Sequence, residues 1–418
     1  MIKYIKRFHN QLALVNTIAA NPMKPPVLSK FEHARRTRLV SAAAEWSESV
    51  FAAIVFTEVS VLKTETGGYK HMETKKFGTL KDGTDLNLYT FTNKNGMTMV
   101  LTELGATLVS VMLKDKDGVE RDVVLGYDTP QEYIDNTCFF GTVIGRSGNR
   151  IDKGSFVING KRYQMDINDN ENNLHSGNNG FDSRKWEVKE TSDNAITFGL
   201  TSPDGDQGFP GNFEVTVTYT LTDDNEVLLC YEGSSDADTV ANLTNHSYFN
   251  LGGHDSGSIE GQMLQLLAEE YTPVRDGQAI PTGEIAAVKG TPMDFTTAKP
   301  IGQDIEAEFE QLKFVGGYDH NYVLSREAGV MKKMAEAYCE QTGIAMEAFT
   351  DCCGVQFYAG NFITPQKGKN GVEYGKRHGF CLESQYYPNA VNQENFASPV
   401  LKAGENYKSV TGYRFSVK

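Results

Sequence analysis

The chain has no run of 18 or more apolar residues, and its longest apolar stretch, Val50 to Leu62, is interrupted by Glu58. A bilayer-spanning helix needs about 20 such residues, so none is expected. Cysteine is sparse: the six residues Cys138, Cys230, Cys339, Cys352, Cys353 and Cys381 form no CxxC pair and no Cys/His spacing of the zinc-site kind. Adjacent Cys352 and Cys353 would point to opposite faces of a strand, which makes them poor disulfide partners. All six read as thiols of a reducing compartment, which points to the cytoplasm. Basic charge is also short, with 40 Lys and Arg against 54 Asp and Glu, a net charge of −14. Nucleic acid and anionic membranes call for a basic surface, so neither is expected as a partner, and a small neutral or polar ligand fits better. There is no internal repeat and no low-complexity tract.

The abundant residues point to strands. Gly at 40, Tyr at 19 and Phe at 23, with many Thr and Val, suit short strands and tight turns. Charge divides the 418 residues unevenly: residues 1–70 hold ten Lys/Arg and five Asp/Glu, or +5, which leaves 30 − 49 = −19 for 71–418. Residues 1–71 carry Arg35-Arg36-Thr37-Arg38 and Pro25-Pro26 without a turn-punctuated strand pattern, and are expected to be a disordered or loosely packed extension. From Met72 the texture changes. Thr107 to Leu113 and Val119 to Leu125 flank Asp115-Lys116-Asp117-Gly118 as a hairpin, and Asn159-Gly160 is a tight-turn dipeptide between two short runs. In Phe213 to Leu221 apolar and polar residues alternate without a slip, so one face must be buried. Similar runs at Ala195 to Leu200, Glu226 to Tyr231 and Tyr413 to Val417 predict an all-β domain over 72–418, a large antiparallel β-sandwich. Val330 to Glu340 has helix-favouring residues but precedes the turn Gln341-Thr342-Gly343, and is read as part of a strand pair.

Five polar clusters stand out in turn-like sequence: Gly145 to Arg150, Asn173-Leu174-His175-Ser176-Gly177, Thr244 to Leu251, Gly317-Tyr318-Asp319-His320-Asn321 and Leu382-Glu383-Ser384-Gln385. Singly, each is as well explained by turn formation or a satisfied core group. Together and in this order, with Gly354 to Asn361 and Gly290-Thr291-Pro292-Met293-Asp294-Phe295, they resemble the signature segments of the aldose 1-epimerase family. The resemblance runs from about Met72 to Lys418. It implies a galactose-mutarotase-like sandwich with a sugar in an open cleft. It also implies that Glu383 is the catalytic base, that His175 and His246 are the catalytic histidines, and that Asn149, Arg150, Asp319 and Gln356 bind the sugar.

The implied reaction suits these groups. Interconverting the anomers of an aldohexose means opening the hemiacetal ring, turning about C1–C2 and closing on the other face. A proton leaves the C1 hydroxyl and one reaches the ring oxygen, so a base and an acid are needed, and neither metal nor cofactor is expected. Carboxylates are ordinarily ionised near neutrality while imidazoles titrate there, so Glu383 is expected to start as base and His246 as acid. His175 can donate a hydrogen bond to developing charge, Arg150 can donate to hydroxyls, and Asp319 can accept from them. Three rivals remain. A hexose-6-phosphate 1-epimerase would need cleft cations, for which Arg146, Lys376 and Arg377 are candidates. A carbohydrate-binding module could lose either proton-transfer partner, yet both are present. A metal hydrolase using His175, His246 and His320 lacks a compact motif such as HExxH.

Overall fold

The computed structural model describes residues 71–418, apart from Asn136 and Thr137. The extension expected over 1–71, including Val50 to Leu62, lies outside the described residues except for His71, where the first strand begins.

The alternating segment Phe213–Leu221 is a strand in which Phe213, Val215, Val217, Tyr219 and Leu221 are all buried. Side chains two apart share a face, so this strand presents one continuous apolar surface. Burying each such side chain contributes about 1.5–3 kcal/mol, which a second apolar layer must provide. The strand belongs to a nine-stranded antiparallel sheet. Its order is Glu187–Thr191, Ala195–Ser202, Phe213–Leu221, Glu226–Ser235, Asn406–Val417, Ile344–Thr350, Lys332–Tyr338, Met263–Leu266 and Lys299–Pro300. A five-stranded sheet is formed by His71–Thr79, Asp85–Thr92, Thr98–Thr102, Thr107–Lys114 and Glu120–Asp122. A second five-stranded sheet orders Ala286–Ala287, Glu270–Tyr271, Asp319–Val323, Gly354–Tyr358 and Cys381–Gln385.

One core draws on all three sheets, with Phe91 and Leu101 from the first five-stranded sheet, Val217 and Tyr413 from the nine-stranded one, and Phe357 and Leu382 from the third. The expected β-sandwich is therefore formed. Buried hydroxyls tie the layers: Tyr413 donates to the Leu382 carbonyl at 3.0 Å and Tyr219 to the Ala106 carbonyl at 2.7 Å. Among the described residues the α-helices are Pro130–Asp135 and Glu310–Val315, and none is long and apolar enough to cross a membrane.

Local chemistry accounts for the turns. The Asp115 carboxylate accepts the Asp117 and Val119 N–H groups, closing the first expected hairpin. Asn159 and Gly160 both take positive φ, 53° and 77°, between the strands Ser155–Ile158 and Lys161–Gln164. Lys332–Tyr338 is a strand paired with Ile344–Thr350, so burial of Met334, Ala335 and Ala337 overrides the local helix preference. One expectation fails. Cys352 and Cys353 lie in a bend rather than a strand, with Cys352 Sγ 3.4 Å from Ser409 Oγ and Cys353 Sγ directed at the Gln385 carbonyl.

Candidate active site

The third sheet supplies one wall of the site by its period-two alternation. Asn321 pairs with Gln356 and Gln356 with Glu383 across three neighbouring strands. Residues two away along each strand share that face, which adds Asp319, Tyr358, Cys381 and Gln385. The opposite face carries His320, Phe357 and Leu382, of which Phe357 and Leu382 belong to the core. The segments Gly317 to Asn321 and Leu382 to Gln385, expected as turn-like, are thus strands or strand ends whose alternate residues serve site and core.

The wall is cross-linked. Gln356 Nε2 donates to Asp319 Oδ1 at 2.7 Å, and Gln385 Nε2 donates to Gln356 Oε1 at 3.2 Å and to Asn321 Oδ1 at 3.1 Å. Arg150 reaches this row from outside the sheet, with Nη1 4.0 Å from Asp319 Oδ2 while its Nε donates to Asp169 Oδ2 at 2.7 Å. Asn321 Nδ2, Gln385 Oε1 and Glu383 Oε2 are buried and make no hydrogen bond. Unmet buried polar atoms are costly, about 1–3 kcal/mol each, and three on one face mark a place where a polar ligand belongs.

The two histidines arrive at the ends of short two-stranded ladders. Arg150–Ile151 pairs with Asn173–Leu174, and His175 follows in the left-handed region at φ 52°, with Ser176 at 74°. The Asn149 N–H donates to His175 Nδ1 at 3.1 Å, and Asn149 Oδ1 accepts the Arg150 N–H at 2.8 Å. Since a backbone N–H can only donate, the neutral His175 ring carries its proton on Nε2. Thr244–Asn245 pairs with Val143–Ile144, and His246 follows with its N–H on the Thr142 carbonyl at 2.9 Å. Asn245 stiffens this turn: its Oδ1 accepts from the Ser247 N–H and its Nδ2 donates to the Gly141 carbonyl. Asn242 and Asn245, each of which begins an Asn-x-Ser/Thr sequence, are both buried and so are not accessible as glycosylation acceptors.

His246 Nε2 lies 3.7 Å from Glu383 Oε2, and the rings of His175 and His246 meet edge to face at 5.2 Å. Phe139 packs on both rings, at 4.8 Å from His175 and 5.8 Å from His246. Burial dominates the electrostatics. It pushes the Glu383 carboxyl well above its ordinary range, reinforced by the Asp319 charge and opposed by Arg150. It lowers His246 to about 4, and it lowers His175 well below 6.5 with help from His246 and Arg150. Asp319 is likewise raised by burial, with Arg150 opposing. The expected start, with Glu383 ionised and His246 protonated, is opposed by burial, which disfavours both charges and favours the proton of the pair on Glu383.

Glu383, His246, His175, Asn149, Arg150, Asp319 and Gln356 all come together here. His320 does not. Its ring is fully buried against Tyr271, its Nδ1 accepts the Asp319 N–H, and burial lowers it to about 3, so it is a neutral core histidine. The proposed phosphate cations are engaged elsewhere. Arg146 is buried with its guanidinium on the carbonyls of Ser202, Pro203, Pro210 and Gly211, and Arg377 pairs with Glu260 and Glu306, the latter also 3.8 Å from Lys376. His175, His246 and Glu383 offer ligand atoms within 4.8 Å of one another. A cation fits them poorly, because the lone pair of His175 Nδ1 is taken and Nε2 bears the proton. Sequence reading missed Phe139, Asp169 and Cys381, and gave no role to Asn321 and Gln385, which lie inside two of its polar clusters. Asn321, Cys381 and Gln385 each lie two residues from a candidate, a spacing that becomes informative only once these segments are known to be strands.

A buried carboxylate–imidazole pair beside hydroxyl-binding groups can carry out acid–base chemistry on a small polyhydroxylated ligand. Comparison with known proteins is narrower: residues 87–414 match the family model described as aldose 1-epimerase, and the chain belongs to that family. It is similar to galactose mutarotase of Sus scrofa, 42% identical over 314 residues that span 75% of this chain and 89% of that protein. It is also similar to aldose 1-epimerase of Escherichia coli (strain K12), 38% identical over 338 residues, 80% of this chain and 96% of that one. Among solved structures, a GalM/aldose epimerase homologue from C. elegans superposes with a TM-score of 0.72 at 31% identity, covering 78% of this chain and 97% of the other. Galactose 1-epimerase from Lactobacillus acidophilus gives 0.71 at 28% identity, covering 83% and 98%.

Proposed function

We infer that the protein is an aldose 1-epimerase that interconverts the α and β anomers of free hexoses such as galactose and glucose. The observation that carries this reading is the buried pair of His246 Nε2 and Glu383 Oε2, 3.7 Å apart, in which Oε2 makes no hydrogen bond. Ring opening needs a base at the C1 hydroxyl and an acid at the ring oxygen, and ring closure needs the same two roles reversed. A pair that holds one exchangeable proton meets this requirement, because either partner can act as donor or acceptor and the cycle restores both. A polar sugar that meets the atoms without hydrogen bonds favours the ion-pair form, in which Glu383 takes the C1 proton and His246 protonates the ring oxygen. His175, with its proton on Nε2, donates to the ring oxygen or a neighbouring hydroxyl. Arg150, set by Asn149 and Asp169, donates to hydroxyls, while Asp319 and Gln356 fix the sugar on the sheet side.

The internal engagement of Arg146 and the ion pairs of Arg377 favour a free sugar over a sugar phosphate. The presence of both proton-transfer partners favours turnover over binding alone. Net charge of −14 supports a reading without nucleic-acid or membrane partners, and the buried thiols of Cys339, Cys352, Cys353 and Cys381 support a cytoplasmic one. The test is polarimetry on freshly dissolved α-galactose and α-glucose, with and without protein and with a chelator present. Acceleration is expected for at least one sugar; rates equal to buffer for several free aldoses would refute the reading.

A further inference from the structure

Catalytic histidines are commonly held from behind by a carboxylate or a backbone carbonyl, which fixes the tautomer and strengthens the base. His246 is held differently. Its Nδ1 lies 3.5 Å from the Sγ of Cys381, a fully buried thiol two residues before Glu383 on the same strand and the same face. The other groups facing the ring are Glu383 at Nε2, His175 edge to face, Tyr248 stacked at 5.0 Å, Tyr358 at 6.3 Å and Phe139. Apart from the backbone of His246 itself, none of these reaches Nδ1 in the hydrogen bonds of the site, so the thiol is its side-chain partner.

We propose that Cys381 is a positioning residue for the reaction, in which a neutral thiol holds the Nδ1 edge of His246 and leaves Nε2 free to gain and lose a proton beside Glu383. The inference rests on His246 being one partner of the proton-transfer pair. A thiol can weakly donate through S–H and weakly accept through sulfur. With Nε2 free to take up the proton, the neutral imidazole carries its hydrogen on Nδ1, so the sulfur accepts weakly from Nδ1–H in both the neutral ring and the imidazolium and stabilises neither strongly. A carboxylate in its place would favour the imidazolium and blunt its acidity. Burial keeps the thiol protonated, as this role requires, and negative charge on Glu383 or Asp319, when present, acts in the same direction.

The experiment compares Cys381→Ala, Cys381→Ser and His246→Asn in galactose mutarotation, with kcat, KM and the pH dependence of kcat/KM measured on each full-length protein. Cys381→Ala should lower kcat roughly 10- to 100-fold, the usual cost of losing a group that orients a reacting one, with KM changed less than about threefold. Cys381→Ser should recover most of that loss. Its acid limb should move to higher pH, because a hydroxyl oxygen accepts more strongly from the imidazolium. A Cys381→Ala enzyme with parental kcat and acid limb would overturn the proposal, as would equal impairment of the Ala and Ser enzymes. If the Ala variant does not fold, an unmoved acid limb in the Ser variant overturns it alone. An active His246→Asn enzyme would instead remove the underlying reading of His246, so the two failures are distinguishable.

Discussion

Acidifying the assay from pH 7 to pH 5.5 separates a buried catalytic imidazole from an ordinary one. The active form of the His246–Glu383 pair holds one proton. Below the pKa of His246 the pair holds two and has no base; above that of Glu383 it holds none and has no acid. With His246 at about 4, about 97% of the pair keeps its base at pH 5.5, so kcat/KM should stay within about 10% of its pH 7 value. An exposed histidine titrating near 6.5 would go from about 76% to roughly 9%, about an eightfold loss over the same interval. The alkaline limb should fall where the raised Glu383 loses its proton, above the usual carboxylate range. The assay is polarimetry on α-galactose with the buffer rate subtracted at each pH, and circular dichroism to confirm the fold. An acid limb centred near 6.5 would show that burial does not govern this pair, and the placement of its proton would be wrong.

Glu383→Gln should cut turnover by about 10²–10⁴-fold while galactose binding survives, and the double variant with His246→Asn should be far less than multiplicatively worse; a Gln enzyme of near-normal turnover would remove the assigned base. The same substitution should raise Tm, by more at pH 7 than at pH 4. A carboxyl whose folded pKa is raised is increasingly unfavourable to folding as pH rises past its unfolded value, and the amide escapes that cost; a lower Tm at pH 7 contradicts this. Asp319→Asn should raise KM, lower kcat and shift the alkaline limb downward, because it loosens Gln356 and removes a negative charge that helps raise Glu383; an unmoved limb would separate the two carboxylates. Deleting residues 1–70 should leave kcat/KM unchanged within about twofold, since every site residue lies beyond them; a folded but inactive truncation would assign that segment a part in the site.

How much of this could be read from the chain depends on where each strand sits. Phe213–Leu221 was legible because one of its faces is buried and the other alternates through partly exposed Thr and an exposed Glu214. Asp319–Val323 and Cys381–Gln385 were not, because every residue in both is buried. One face meets apolar core and the other a buried polar cleft, so the period-two pattern that distinguishes inside from outside is absent. The histidines and Glu383 were found through ordered motifs, while Phe139 and Asp169 act from loops whose local sequence gives no sign of which ring or guanidinium they will meet. The resting place of the proton was out of reach, since residue type sets an ordinary pKa and only the surrounding protein moves it.

The alternation along Cys381–Gln385 also governs how the molecule can go wrong. Sliding this strand by one residue against Gly354–Tyr358 would carry Leu382 and Ser384 to the cleft and turn Cys381, Glu383 and Gln385 toward the aromatic interior, where Tyr413 now meets the Leu382 carbonyl. Two of the displaced side chains would leave hydrogen-bonding groups stranded in an apolar layer, at about 1–3 kcal/mol for each unmet group and more for a charge. A mispaired chain of this kind is thus both inactive and markedly unstable, so it is removed by unfolding rather than persisting as a folded, silent population. Specific activity per folded molecule should therefore be insensitive to how the protein was refolded, because the register that closes the core is the one that presents the base.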